Sequence, residues 1–179
     1  LNLGLDAALS MGPVHVTPYE LGVRIPFDGT SPTPFLHGLG LGMDAGGIKL
    51  AGHFAEVNDD YVGAALVSVV NFFELTAIGG YTKLPEGSES LFIFASLVAP
   101  LGGPPFLFVT GVAGGLGYNR RLPPPGPIAD NPFMKVMRGE IGLGNGTTTD
   151  LQELSRKFLP GENQHWIAAG LQFISFGFI

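Results

Sequence analysis

Two adjacent guanidinium groups, Arg120 and Arg121, follow directly on a stretch from Ser90 to Asn119 that holds no charged side chain. A planar, permanently charged fork at the end of so apolar a segment has two uses: pairing with an acid such as Asp44 or Glu74 to close one end of a sheet, or binding an external anion. The end-closing use is the commoner. The remaining groups that could do chemistry are dispersed. His15, His37, His53 and His165 have no partner at i+2 or i+4 with which to make a metal pair, so the sequence points to structural histidines and to no metal site. Asn58, Asp59 and Asp60 supply too few oxygen ligands at set spacing for a calcium loop and read as a solvated turn. Ser96 and Thr110 sit inside apolar runs with no G-x-S-x-G or S-x-x-K around them, which argues against a nucleophilic enzyme. The run Gly111-Val-Ala-Gly-Gly-Leu-Gly117 has dinucleotide-loop spacing, but Tyr118-Asn-Arg-Arg-Leu-Pro123 follows where a phosphate-holding helix would have to start. Those glycines read as sites of close packing, and no catalytic residue or cofactor is expected.

The elements that carry these residues are strands. The segment 90–121 divides into two apolar strands about Pro100-Leu-Gly-Gly-Pro-Pro105, with Phe92, Phe94, Phe106 and Phe108 expected on one face and Leu91, Ile93, Leu107 and Val109 on the other. Neither face of such a hairpin can be left in water without a large cost, so something must cover both. Upstream, alternating runs bounded by turn signals mark further strands: 1–10, 14–18, 21–27, 38–44, 48–57, 61–70 and 72–81. Asn58-Asp-Asp60 is expected as a hairpin turn, and a slip in the alternation at Ala51-Gly52 as a bulge. After the stiff Pro123-Pro-Pro-Gly-Pro127 linker the pattern turns helical. Asn131 and Pro132 fit the start of a short helix over 133–138, and Asp150 with Glu153 resembles a capping box for a helix over 151–158. His165 to Phe173 then returns as a strand.

Composition narrows the function classes. Charged residues make up 13% of the 179, and 45% are hydrophobic, too many for a disordered chain despite 28 glycines and 15 prolines. A net charge of -6 with nine scattered basic residues excludes a nucleic-acid partner. Zero cysteines exclude disulfides and thiolate metal sites. The one long uncharged stretch is broken by prolines and glycines too soon for a membrane helix. An outer-membrane barrel fits the strand lengths, but its polar inner face is not evident in strands so rich in Val, Ala and Leu.

The segments Leu39-Gly-Leu-Gly-Met-Asp44, Gly102-Gly-Pro-Pro-Phe-Leu-Phe-Val-Thr-Gly111 through Gly117-Tyr-Asn-Arg-Arg121, and Trp166-Ile-Ala-Ala-Gly-Leu-Gln-Phe173 resemble a family of large, glycine-rich bacterial and fungal proteins known only as a domain of unknown function. The resemblance covers most of the chain from about Gly38 onward. It implies a β architecture and a longer parent polypeptide, and brings no catalytic residues.

The expectation is therefore an all-β domain over 1–179: an antiparallel meander forming a sandwich or open barrel, with a small helical insertion at about 123–164. Its leading function is a non-catalytic structural or self-assembly module whose apolar edge strands pair with further copies or with the rest of a larger polypeptide, as in an extracellular filament or cell-surface assembly. The alternative is a β cavity that binds lipid or another hydrophobic ligand, lined by Phe92, Phe94, Phe106 and Phe108.

Overall fold

The computed structural model describes residues 1–5, 8–104, 106–140 and 147–175, the last including four residues, 147–150, whose backbone alone is described. Ten strands form one antiparallel sheet: β1 (Asn2–Leu5), β2 (Leu9–Met11), β3 (Val14–Arg24), β4 (Thr33–Ala45), β5 (Ile48–Val57), β6 (Asp60–Val69), β7 (Phe73–Lys83), β8 (Glu89–Gly102), β9 (Leu107–Tyr118) and β10 (Trp166–Ser175). From β3 to β10 each strand pairs with the next in sequence, while β1 and β2 share the outer edge of β3. Among the described residues the meander is open, not closed on itself, and the insertion between β9 and β10 carries a 3-10 turn (Ile128–Asp130) and two helices, α1 (Pro132–Met137) and α2 (Thr147–Lys157).

Local chemistry explains the turns. Asn58 and Asp59 both adopt positive φ, 53° and 62°, the left-handed pair that a two-residue hairpin with native twist requires and that short polar side chains tolerate best. Asn131 caps α1 through a 2.9 Å bond that its side chain accepts from the Phe133 amide, with Pro132 at the first helical position. Three local expectations differ. The runs 14–18 and 21–27 are one strand, β3, which carries through Pro18 on to Arg24 and ends before Pro26. The Ala51-Gly52 bulge is absent: β5 keeps unbroken register against both β4 and β6, and the apparent slip reflects small residues standing on a regular strand. The second helix begins at Thr147, so Asp150 lies within its first turns, and Glu153 serves ion pairs with Lys135 and Lys157 at 3.0 and 2.7 Å.

Because strand side chains alternate, the register sorts the sheet into two unlike faces. One side bears Val62, Ala64, Ile78, Phe92, Phe94 and Trp166, and here the helices pack: α1 over β7 and β8, α2 over β5 and β6. With Val136, Met137, Leu151, Leu154 and Phe158 these residues form the buried core. Phe158 stacks on Phe92 at 4.3 Å between ring centroids and meets Phe133 edge-on at 5.4 Å, while Phe133 also covers Phe94 at 4.6 Å. The chain's own helices thus cover one face of the central hairpin. Glycines in β9 make the fit: a Cβ on Gly117 would lie 2.2 Å from the Trp166 indole nitrogen, and one on Gly115 would lie 2.5 Å from the Ile93 carbonyl oxygen. Gly117→Ala is expected to cost about 1–3 kcal/mol by overpacking, read as a lower denaturant midpoint at unchanged m-value.

The insertion carries a pH-sensitive contribution. Hydrogen bonds from Lys157 and then Lys135 hold the Glu153 carboxyl below its ordinary value. A carboxyl depressed in the folded state stabilises above its unfolded value, about 4.3, and that stability is lost as pH falls through the lower folded value. Glu153→Gln should remove this acid-limb dependence; the pair is partly solvated, so the loss is small, under about 1 kcal/mol.

Candidate apolar binding face

The other side of the sheet has no helix on it among the described residues. Its residues fall into transverse rows. The central row is small: Gly52, Ala65, Ala77, Ala95, Gly114 and Ala169 stand opposite one another across β5 to β10. Apolar residues flank it, large ones except at Gly63 and Gly79. On one side run Met43, Leu50, Val67, Leu75, Leu97, Val112 and Leu171; on the other run Leu39, Phe54, Gly63, Gly79, Ile93, Leu116 and Ile167. None of these residues carries a charge. The next row outward places Tyr61, Tyr81 and Tyr118 in line with Leu91, all three tyrosines partly exposed, so phenol hydroxyls border the apolar field at that end.

Where the small row meets Gly63 and Gly79 the face sinks into a depression of about 710 Å³. Gly52, Gly63, Ala65, Ala77 and Gly79 form its floor; Leu39, Leu41, Phe54, Tyr61, Tyr81 and Ile93 form its walls. At roughly 4.8 Å between strands, the small row from β5 to β10 runs about 24 Å, open at the β10 edge and stopped by Leu41 on β4. Polar groups gather beyond the tyrosine border, where the Tyr81 hydroxyl donates to Glu89 at 3.4 Å, and past the corner of the field, where the His37 ring lies 2.7 Å from a Glu20 carboxylate oxygen and 4.0 Å from one of Glu56.

The phenylalanines singled out in the sequence are not brought together on this surface. Phe92 and Phe94 face the helices and are buried; Phe108 is half-buried beyond a register shift that β9 makes against β10; Phe106 is exposed in the β8–β9 turn. The residues that matter on the open face, Ala65, Ala77 and Ala95, are too small to draw attention in sequence, and only the cross-strand register puts them in line.

The two arginines also separate. Arg120 is fully buried and closes one end of the sheet, but on Asp60: its two terminal nitrogens lie 2.5 and 2.8 Å from the two Asp60 carboxylate oxygens. It also donates to the Phe158 carbonyl at 2.6 Å and sits 5.3 Å over the Phe92 ring. The proposed partners Asp44 and Glu74 stand toward the other end of their strands, and Asp44 pairs with Lys49 at 3.5 Å. Asp60, expected in a solvated turn, is instead the first residue of β6 and 4% exposed. Around it Asn119, at φ 48°, donates to the Glu89 carbonyl and accepts from the Asn163 amide and, at its own carbonyl, from Ser90 Oγ. Arg121 stays exposed, its amide bonded to the Leu159 carbonyl at 2.9 Å.

Among the described residues no three His, Asp or Glu side chains cluster in a way that could hold a metal ion. His15 bonds Ser10 Oγ at 2.8 Å, and His165 accepts the Asn119 amide at 3.3 Å. No described helix is long and apolar enough to cross a membrane.

No curated protein and no solved structure matches the chain. A family model does so over residues 1–179, its whole length. The chain belongs to that family, described as a family of unknown function, DUF6603.

Proposed function

We propose that this domain is a non-catalytic module that holds lipid acyl chains on the open face of its sheet. One observation carries the reading: a charge-free apolar field spans β4 to β10 opposite the helical layer, with a trough of small residues along its middle. Contiguous apolar surface of this extent is not stable in water and marks a site of interaction. The trough selects among occupants. Its length of about 24 Å exceeds the ~15 Å of hydrocarbon that one bilayer leaflet contributes, and its bare floor admits a thin, flexible chain better than a second layer of bulky side chains. The tyrosine row gives a lipid's polar end a border of the kind found at membrane interfaces.

The reading is tested by titrating a fluorescent long-chain fatty acid into protein purified without detergent. Saturable binding is expected, weakened at least about tenfold, or ~1.4 kcal/mol, by Ala77→Asp, which sets a carboxylate on the floor of the depression. Ala113→Ser, on the helix-facing side, should leave affinity unchanged. Equal affinity of Ala77→Asp and the unmodified protein would reject the reading.

A further inference from the structure

The outer edge of β10 is a second surface that the acyl-chain reading does not use. A sheet edge presents backbone N–H and C=O groups at alternate residues, and proteins ordinarily blunt it with charges, prolines or bulges, or cover it. Along Trp166–Ser175 there is no charge and no proline, and no strand pairs with the outer edge among the described residues. α1 reaches the helix-facing side of β10, where Phe133 meets Trp166 at 5.3 Å and a Cβ on Gly170 would lie 2.8 Å from the Met137 sulfur, but it adds no strand to the backbone edge. Ile167 is 88% exposed and Leu171 66%, values that belong to a strand with a neighbour on one side only.

The order of residues within β10 indicates which strand fits. We propose that β10 pairs antiparallel with β10 of a second copy about a two-fold axis at Gly170. That register sets Ile167 opposite Phe173, Ala169 opposite Leu171 and Ala168 opposite Gln172, each pair occurring twice by symmetry. Aromatic against β-branched is among the favourable cross-strand pairs, and no like charges meet because the strand has none. An interface of this kind is self-complementary, as a two-fold requires. The axis is perpendicular to the sheet, so the apolar faces of both copies lie on one side, and the small row of one copy, ending at Ala169, meets the large row of the other at Leu171. A partner strand carrying acidic or basic residues would leave those charges against Ile167 and Leu171, which disfavours a generic edge-binding peptide.

The chain has no cysteine, so introduced thiols report cleanly. In this register Ala169 and Leu171 of opposite copies are directly paired, with Cα atoms about 4.5–5.5 Å apart, inside the range a disulfide spans. The variant Ala169→Cys/Leu171→Cys should form a covalent dimer under mild oxidation, and a control, Ala95→Cys/Leu97→Cys on the same face but inside the sheet, should not. Light scattering of the unmodified protein should give a dimer, and Leu171→Lys should raise its dissociation constant at least tenfold while leaving the circular dichroism spectrum unchanged. A monomer at high concentration overturns the proposal. So does a dimer or polymer in which the control cross-links as readily as the β10 variant, since that result means face-to-face stacking.

Discussion

Arg120→Ala lowers the unfolding free energy by about 3–5 kcal/mol, the loss expected when one member of a buried ion pair is removed and the other is left charged and unpaired. Asp60 is 4% exposed and bonded to both terminal nitrogens of the guanidinium, so truncation strands a carboxylate beneath α2. The same change removes the donor to the Phe158 carbonyl, close after the end of that helix, and the cation over Phe92. A domain has roughly 5–15 kcal/mol in all, so the variant stands near the limit of folding. Two companions identify the cause. Arg120→Lys restores less than half of the loss, because a single ammonium cannot meet both carboxylate oxygens and the carbonyl. Arg120→Met with Asp60→Leu costs less than Arg120→Ala alone, since no charge is left unpaired. Denaturant unfolding followed by far-UV circular dichroism measures all three.

Phe158→Ala is the second large effect, about 3–5 kcal/mol. The ring is fully buried and stands between Phe92, Phe133 and Trp166, with centroids at 4.3, 5.4 and 5.9 Å, so its removal opens a cavity whose lining cannot close without moving the sheet or the insertion. Phe158 and Arg120 touch through the Phe158 carbonyl and share Phe92, so the double variant departs from additivity. Phe158→Leu keeps most of the volume and recovers most of the stability. If Phe158→Ala were within about 1 kcal/mol of the parent, the helical layer would not be packed as described.

The strands, the Asn58-Asp59 hairpin, the Asn131 cap and the helical insertion were legible because each rests on neighbours in sequence: an alternation, a pair of left-handed residues, a capping side chain. The Arg120–Asp60 pair was half legible. Apolar flanks announced that Arg120 needed a partner, but its acid stands 60 positions away and was masked by its neighbours Asn58 and Asp59, which do form a turn. The face assignment was lost for a similar reason. Alternation places Phe92 and Phe94 opposite Ile93, yet says nothing of which side the helices take, and the large residues drew the expectation of a ligand face to the side that is in fact the core. On the open side the informative residues are alanines and glycines, invisible until the register aligns six strands.

The central claim is that an acyl chain lies on the open face, and short-range nuclear Overhauser effects from fatty-acid methylenes to alanine methyls test it residue by residue. With the sheet's alanine methyls labelled, Ala65, Ala77 and Ala95 should show cross-peaks to the bound chain, while Ala113 and Ala168, packed against the helix-facing core, show none. Cross-peaks confined to Ala113 and Ala168, or none at all at saturating fatty acid, would contradict the assignment of the open face as the binding surface.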